Sequence, residues 1–413
     1  MSRFQFRELH VENFRCFGAL TLPLEEDTTI LFGENGGGKT ALLNALAIGL
    51  AVFQRGLSKR PRINAERDPS MHSLDERGGR EATGRCELRW TAAVGETESV
   101  TWSTAVNPGT GSPRAMSRHR PILEALEQVR VPGKRWPLFA WYGVDRLRRR
   151  RHRRKHQHTG DRWSAYDSSL DPSLDEAPLL EWLQDEALRD AALRQQSMPE
   201  RLLHQAVMDT AVRATPGVAN AWHEAETGGP MVRFEDGHMT SWPDLSHGNH
   251  ALMSLVADIA RRAVKLNEFD GAKAPARVEG VVLIDGIDLH LHPRWQRIVL
   301  SRLRDTFPRL QFVVSTRSPQ VLSSAQNRQV RRLVGGRLQD WGVFVSGRDS
   351  NAILRELMNT DDRDERGTAA LRALYEAIDR DDQHLAAQRH EELVEKWGYN
   401  DPELIRARGF MEE

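Results

Sequence analysis

The sequence predicts an α/β protein organised around a parallel sheet, and three observations carry that reading. The apolar run Thr29-Ile30-Leu31-Phe32 leads into Gly33-Glu34-Asn35-Gly36-Gly37-Gly38-Lys39-Thr40 and then Ala41-Leu42-Leu43-Asn44-Ala45-Leu46-Ala47, which is the strand, glycine turn and helix of a phosphate loop. Gly280-Val281-Val282-Leu283-Ile284 is a continuous apolar run closed by Asp285, as in a strand buried on both faces. Gln311-Phe312-Val313-Val314-Ser315 repeats the pattern after a helical stretch over 295–306, so the two runs form a β-α-β unit.

The remaining elements follow in order. Phe4, Phe6, Leu9 and Val11, then Phe14, Phe17, Leu20 and Leu22, alternate with polar residues and read as strands. The phosphate-loop helix runs to about Leu50, and 54–84, rich in Arg, Asp, Ser, Pro and Gly, is an exposed excursion. Residues 86–91 and 99–105 form a hairpin around Gly95, and 137–142 form another strand. Residues 179–214 carry helical periodicity, 231–242 a second hairpin, and Leu245-Ser246-His247-Gly248 opens a helix to about Leu266. The tail is a helical pair over 368–397, broken near Asp381, and a short helix from Asp401-Pro402.

Composition narrows the class. At 413 residues and 39% hydrophobic content the chain can bury two or three compact units. It has no run of about 18 apolar residues, and Met1-Ser2-Arg3-Phe4-Gln5-Phe6-Arg7 lacks the apolar core of a signal peptide, so a cytoplasmic protein without a membrane span is expected. Cys16 and Cys86 are too few for a disulfide framework and lack metal-ligand spacing. The 58 basic and 58 acidic residues cancel, so attraction to nucleic acid must be local. Residues 146–158 are the one such block, with Arg148, Arg149, Arg150, Arg151, Arg153, Arg154 and Lys155 at its centre. It reads either as a solvated charged loop or as a contact for DNA phosphates without sequence preference.

The chemistry lies in the phosphate loop. Gly33, Asn35, Gly36 and Gly38 let backbone N–H groups close around phosphates, Lys39 neutralises their charge, and Thr40 reaches a magnesium ion. A nucleoside triphosphate is the expected ligand. Asp285, at the end of its apolar strand, is the carboxylate expected to hold the magnesium water shell from the opposite side.

Five segments together resemble a known family. They are Val11-Glu12-Asn13-Phe14-Arg15-Cys16-Phe17, the phosphate loop, Leu245-Ser246-His247-Gly248, the run from Leu283 through Asp285-Gly286-Ile287-Asp288-Leu289-His290-Leu291-His292 to Pro293, and Thr316-Arg317-Ser318-Pro319-Gln320. The set resembles the ABC-type ATPase heads of the RecF and SMC group, and more narrowly the AAA-family ATPases of prokaryotic anti-phage defence operons, such as the Septu subunit PtuA. The resemblance implies an ABC-type head with a P-loop core and mixed sheet, a helical insertion and a C-terminal helical segment. The parts would be 1–145 and 231–360 for the two pieces of the head, 146–230 for the basic loop and insertion, and 361–413 for the tail. It also implies ATP and Mg2+ held between two heads, with Ser246 and Gly248 of one subunit meeting the γ-phosphate on Lys39 of the other, hence a homodimer or higher even oligomer. In Septu a separate nuclease of HNH type accompanies the ATPase, and no nuclease signature is visible in this chain.

Two positions depart from the family pattern. Gly286 stands where the family has a glutamate that orients or deprotonates the attacking water, and Arg317 stands where it has a γ-phosphate-sensing histidine. Base or water-positioning help is typically worth about 10²–10⁴-fold, so weak or absent hydrolysis is expected, with Asp288 a weak candidate to substitute. Arg317 retains the capacity to fork onto phosphate oxygens. His290 and His292 are read as a structural turn, and the scattered tryptophans as packing residues. The leading expectation is an ATP-binding defence subunit that regulates a nuclease. The alternatives are a RecF-like DNA-repair clamp, which needs timed hydrolysis, and a soluble transporter motor.

Overall fold

The computed structural model describes residues 4–54, 73–74, 80–81, 85–106, 116–127, 133–146, 162–173, 176–224, 229–339, 343–361 and 363–412. The chain divides into two compact units, Met1–Arg348 and Asp349–Glu413.

The first unit contains two large sheets. Strands β1 (Phe4–Phe14) and β2 (Phe17–Pro23) form a hairpin, followed by β3 (Thr28–Gly33) and helix α1 (Lys39–Leu50). Strands β4 (Cys86–Val94), β5 (Thr97–Val106) and β6 (Met116–Arg118) complete an antiparallel sheet in the order β2-β1-β4-β5-β6. A bulge between Phe6 and Glu8 shifts the alternation of β1 by one residue, so that Phe4 and Phe6 point to the core before it and Leu9 and Val11 after it.

The second sheet carries the parallel core. It uses β3, β7 (Leu138–Tyr142), β11 (Gly280–Ile284), β12 (Leu310–Ser315), β13 (Val330–Val334) and β14 (Arg337–Gln339), in the order β14-β13-β3-β12-β11-β7. All neighbours are parallel except β13 and β14. Strands β3, β12, β11 and β7 are buried almost throughout because both faces are covered. Between β11 and β12 the expected single helix is two shorter ones, Pro293–Gln296 and α5 (Val299–Thr306), because the chain kinks at Ile298.

Aromatic packing and one amide lock the sheets together. Phe4 meets Phe139 edge-on at 4.9 Å, while Trp90 and Trp102 stack at 5.8 Å. Trp90 also donates Nε1 to Ala45 O of α1 at 3.0 Å, so these tryptophans serve the core. The buried Gln311 side chain accepts from Phe6 N and donates to Phe6 O, both at 2.8 Å, which reproduces a strand pairing across the sheets and satisfies groups that no ladder reaches.

The middle of the chain is helical, as its periodicity predicts. Helix α2 (Ala177–Gln195) and α3 (Leu203–Ala214) are linked through Asp190, whose carboxylate accepts from the N–H groups of Arg201 and Leu202. Three short strands follow, β8 (Val218–Glu224), β9 (Gly229–Phe234) and β10 (Met239–Ser241). The long helix α4 (His247–Leu266) is buried over most of its length and packs on α3.

The second unit contains α6 (Glu365–Asp379), α7 (Gln383–Trp397) and α8 (Pro402–Glu412), around Leu374, Leu393 and Leu404. Asp364, Asp382 and Asp401 accept from N–H groups in the first turns of these helices, and Arg363 pairs with Asp401 while lying over the Trp397 ring at 4.2 Å.

Candidate nucleotide-binding site

The carboxyl ends of β3, β11, β12 and β7 lie side by side, and the motif residues emerge there. This is the edge at which open α/β sheets bind ligands. Gly38 takes a left-handed φ of 93°, and a Cβ there would lie 2.2 Å from Phe17 Cζ, so only glycine fits between the loop and the β1–β2 hairpin. Asn35 and Gly36 are exposed at the loop's apex, and Thr40 is exposed in the first turn of α1.

Lys39 is buried and donates Nζ to Gly33 O at 2.7 Å and Glu34 O at 2.8 Å. Burial, and then the nearby Arg317 guanidinium, push its pKa down, while Asp285 and Asp288 oppose the shift. Lys39, Arg317, Asp285 and Asp288 therefore form one electrostatic cluster.

Asp285 is buried, accepting at Oδ2 from the Thr40 hydroxyl at 2.6 Å and at Oδ1 from Ser315 Oγ. A threonine hydroxyl and a carboxylate at this spacing are hard oxygen donors that fit a magnesium ion. Behind them the Gly286 N–H donates to Ser315 Oγ at 2.8 Å, and the Asp285 N–H to Tyr142 O at 2.8 Å.

Gly286 has a φ of 63°, which turns the chain out of β11. Asp288 follows, with Oδ1 accepting from Thr316 Oγ1 at 2.7 Å and Arg317 N at 3.3 Å. Its carboxylate is thus engaged with the segment that bears Arg317, whose own side chain is exposed.

Ser246 and Gly248 open α4. Ser246 is exposed and caps the helix by accepting from Asn249 N, and Gly248 lies against His290 O, where a Cβ would approach to 2.7 Å. His290 is left-handed and His292 Nδ1 accepts from Arg294 N, so both shape the loop after Asp288. Arg148, Arg149, Arg150, Arg151, Arg153, Arg154 and Lys155 lie outside the described residues.

The basic block does not begin where its charge run does. Arg146 is 3% exposed, with its guanidinium donating to Gly143 O, Asp285 O and Gly286 O at 3.0, 2.7 and 2.8 Å. The sequence places it in a block read either as a solvated loop or as a contact for nucleic-acid phosphates, and the buried position differs from both. Ser315 was also missed as a partner of Asp285, although it ends an apolar strand as Asp285 does.

Residues 8–198 match the family model described as an AAA domain. The Retron Ec83 probable ATPase of Escherichia coli is 25% identical over 86% of this chain and 76% of its own length. The Septu protein PtuA of Bacillus thuringiensis is 24% identical over 82% of this chain and 78% of its own. A shorter match, 45% identical over 101 residues, joins 24% of this chain to 19% of the Retron Vc95 probable ATPase of Vibrio cholerae serotype O1 biovar El Tor. The chain thus carries a match to an AAA domain and is similar over most of its length to a retron probable ATPase and to a Septu protein. Among solved structures, the SMC head domain from Thermotoga maritima aligns with this chain at a TM-score of 0.46 and 15% identity, over 82% of this chain and 100% of that one. Among its described residues no helix is long and apolar enough to cross a membrane.

Proposed function

We propose that this chain is the ATP-binding subunit of an anti-phage defence complex, in which two copies enclose Mg-ATP head to tail and hold a separate nuclease of HNH type. The observation that carries the reading is the bond between Thr40 and Asp285 beside the buried Lys39, because it joins both halves of a metal–triphosphate site in one subunit. Lys39 and the loop N–H groups would bind the β- and γ-phosphates, and Thr40 and Asp285 would hold magnesium. The ion would supply positive charge against the phosphates. Exposure of Ser246 at the start of α4 supports a role in completing the partner subunit's site.

Hydrolysis is weak in this proposal. Gly286 offers no carboxylate, and Asp288 is already bonded to Thr316 and Arg317. ATP then acts as a ligand that stabilises one assembly by binding it preferentially. Kinship with retron ATPases and with PtuA supports the defence role.

Sedimentation of the full chain with and without Mg-ATP tests the assembly. Wild type is expected to shift to a dimer or higher even oligomer with nucleotide, whereas Ser246→Arg binds nucleotide and remains unshifted. A sedimentation coefficient indifferent to nucleotide contradicts the proposal.

A further inference from the structure

Arg146 has a bonding pattern that packing alone does not require. Its guanidinium is buried, yet among the described residues it forms no ion pair, and Nε has no hydrogen-bond partner. Its other nitrogens donate to three backbone carbonyls, two of them the successive Asp285 O and Gly286 O. A buried cation bonded only to neutral acceptors is costly, and a hydrophobic side chain of similar volume would avoid that cost.

The carbonyls explain the arginine. The left-handed turn at Gly286 takes the backbone away from the parallel ladder, leaving Asp285 O buried without a strand N–H and Gly286 O with only the 3.2 Å bond from Leu289 N. One planar guanidinium reaches both, as a lysine ammonium on a flexible stem would not. On the other side of the same turn Ser315 Oγ accepts from Gly286 N and donates to Asp285 Oδ1. Arg146 and Ser315 therefore hold the Asp285–Gly286 peptide from opposite sides, and the direction of the Asp285 carboxylate toward Thr40 follows from that grip. Burial pushes the Arg146 guanidinium down to about 10, against the opposing charges of Asp285 and Asp288.

We propose that Arg146 is a positioning residue of the nucleotide site: it fixes the Asp285–Gly286 turn and thereby sets how the Asp285 carboxylate meets magnesium. The proposal deepens the reading given above and rests on it. Arg146 touches neither phosphate nor metal in this role. Its loss affects the magnesium-dependent part of nucleotide binding and leaves the part supplied by Lys39 and the loop N–H groups.

The test compares binding of a fluorescent ATP analogue to full-length wild type, Arg146→Lys and Arg146→Met, in magnesium and in EDTA, with thermal melting of each. Wild type should bind more tightly in magnesium, and if it does not, both this proposal and the parent reading fall. Arg146→Lys keeps the charge but cannot fork, so its magnesium-dependent gain should shrink about tenfold. Its affinity in EDTA should stay within about twofold of wild type, and its melting temperature within a few degrees. If wild type shows the gain and Arg146→Lys retains it in full, or loses affinity equally in EDTA, the positioning role is refuted while the parent reading stands. Should Arg146→Met fail to fold, the Arg146→Lys comparison decides alone.

Discussion

Leu289 closes over Gly286: a Cβ built on that glycine would lie 2.8 Å from both Cγ and Cδ1 of the leucine. With a φ of 63° the position is also left-handed, so a side chain there is strained as well as crowded. Restoring the family's glutamate is therefore not a simple gain of function. Gly286→Glu should lower stability by about 1–3 kcal/mol and leave phosphate release at or below the wild-type rate. Thermal melting and a phosphate-release assay on the same preparation check both parts.

Lys39 and Asp285 should fail in different ways. Lys39→Ala removes the buried ammonium and should weaken ATP binding about tenfold to a hundredfold with or without magnesium, as expected for a charge-assisted hydrogen bond. Asp285→Asn keeps the shape and should abolish only the gain that magnesium provides. Titration of a fluorescent ATP analogue in magnesium and in EDTA separates the two patterns.

Asp258 sits in α4, fully enclosed, and accepts from Arg261 at 2.6 Å, Arg262 at 2.7 Å and the Tyr142 hydroxyl at 2.8 Å. Although burial opposes it, pairing with Arg262 and Arg261 holds the Asp258 carboxyl well below the usual range. Removing it leaves two buried guanidiniums, so Asp258→Ala should cost about 3–5 kcal/mol, read by denaturant unfolding. A depressed carboxyl contributes stability above the unfolded value of about 4, and that contribution is lost as pH falls toward the folded value.

Lys265, two turns further along α4, gives a pH signature of the same sign in an alkaline window. Burial, followed by the charges of Arg261 and Arg262, pushes its ammonium down to about 8, against the attraction of Asp167 and Glu186. Between about pH 8 and about pH 10 the unfolded chain still binds this proton and the folded chain has released it, so stability from this group rises with pH there. Below that window the charge is a constant cost. Lys265→Met should therefore melt higher than wild type at pH 7, with the difference shrinking by pH 10. An equal difference at both pH values contradicts the assignment.

Much of this was legible in the residues. The strands ending in Gly33, Asp285 and Ser315 are short apolar runs with abrupt polar ends, and their pattern specifies buried parallel strands before any packing is known. The tail helices were equally clear because apolar periodicity stops at Asp381 and resumes after Asp382, where a left-handed residue and an N-cap now stand. Arg146 was hidden by its neighbours' charge, since a run of like residues carries no sign of which member turns inward. Strands β13 and β14 went unread because Val330-Arg331-Arg332-Leu333 mixes apolar and cationic residues at a sheet margin. Asp288 was placed in the right motif, but its bond to Thr316 depends on two loops meeting, which spacing does not encode.

The most direct measurement is phosphate release by the purified full-length chain at saturating Mg-ATP, with bound nucleotide quantified in parallel. Loss of about 10²–10⁴-fold from an ordinary turnover of a few per second leaves about 0.03 per second or less, with ATP stoichiometrically bound. Turnover of several per second by this chain alone, or no bound nucleotide at all, would contradict the account.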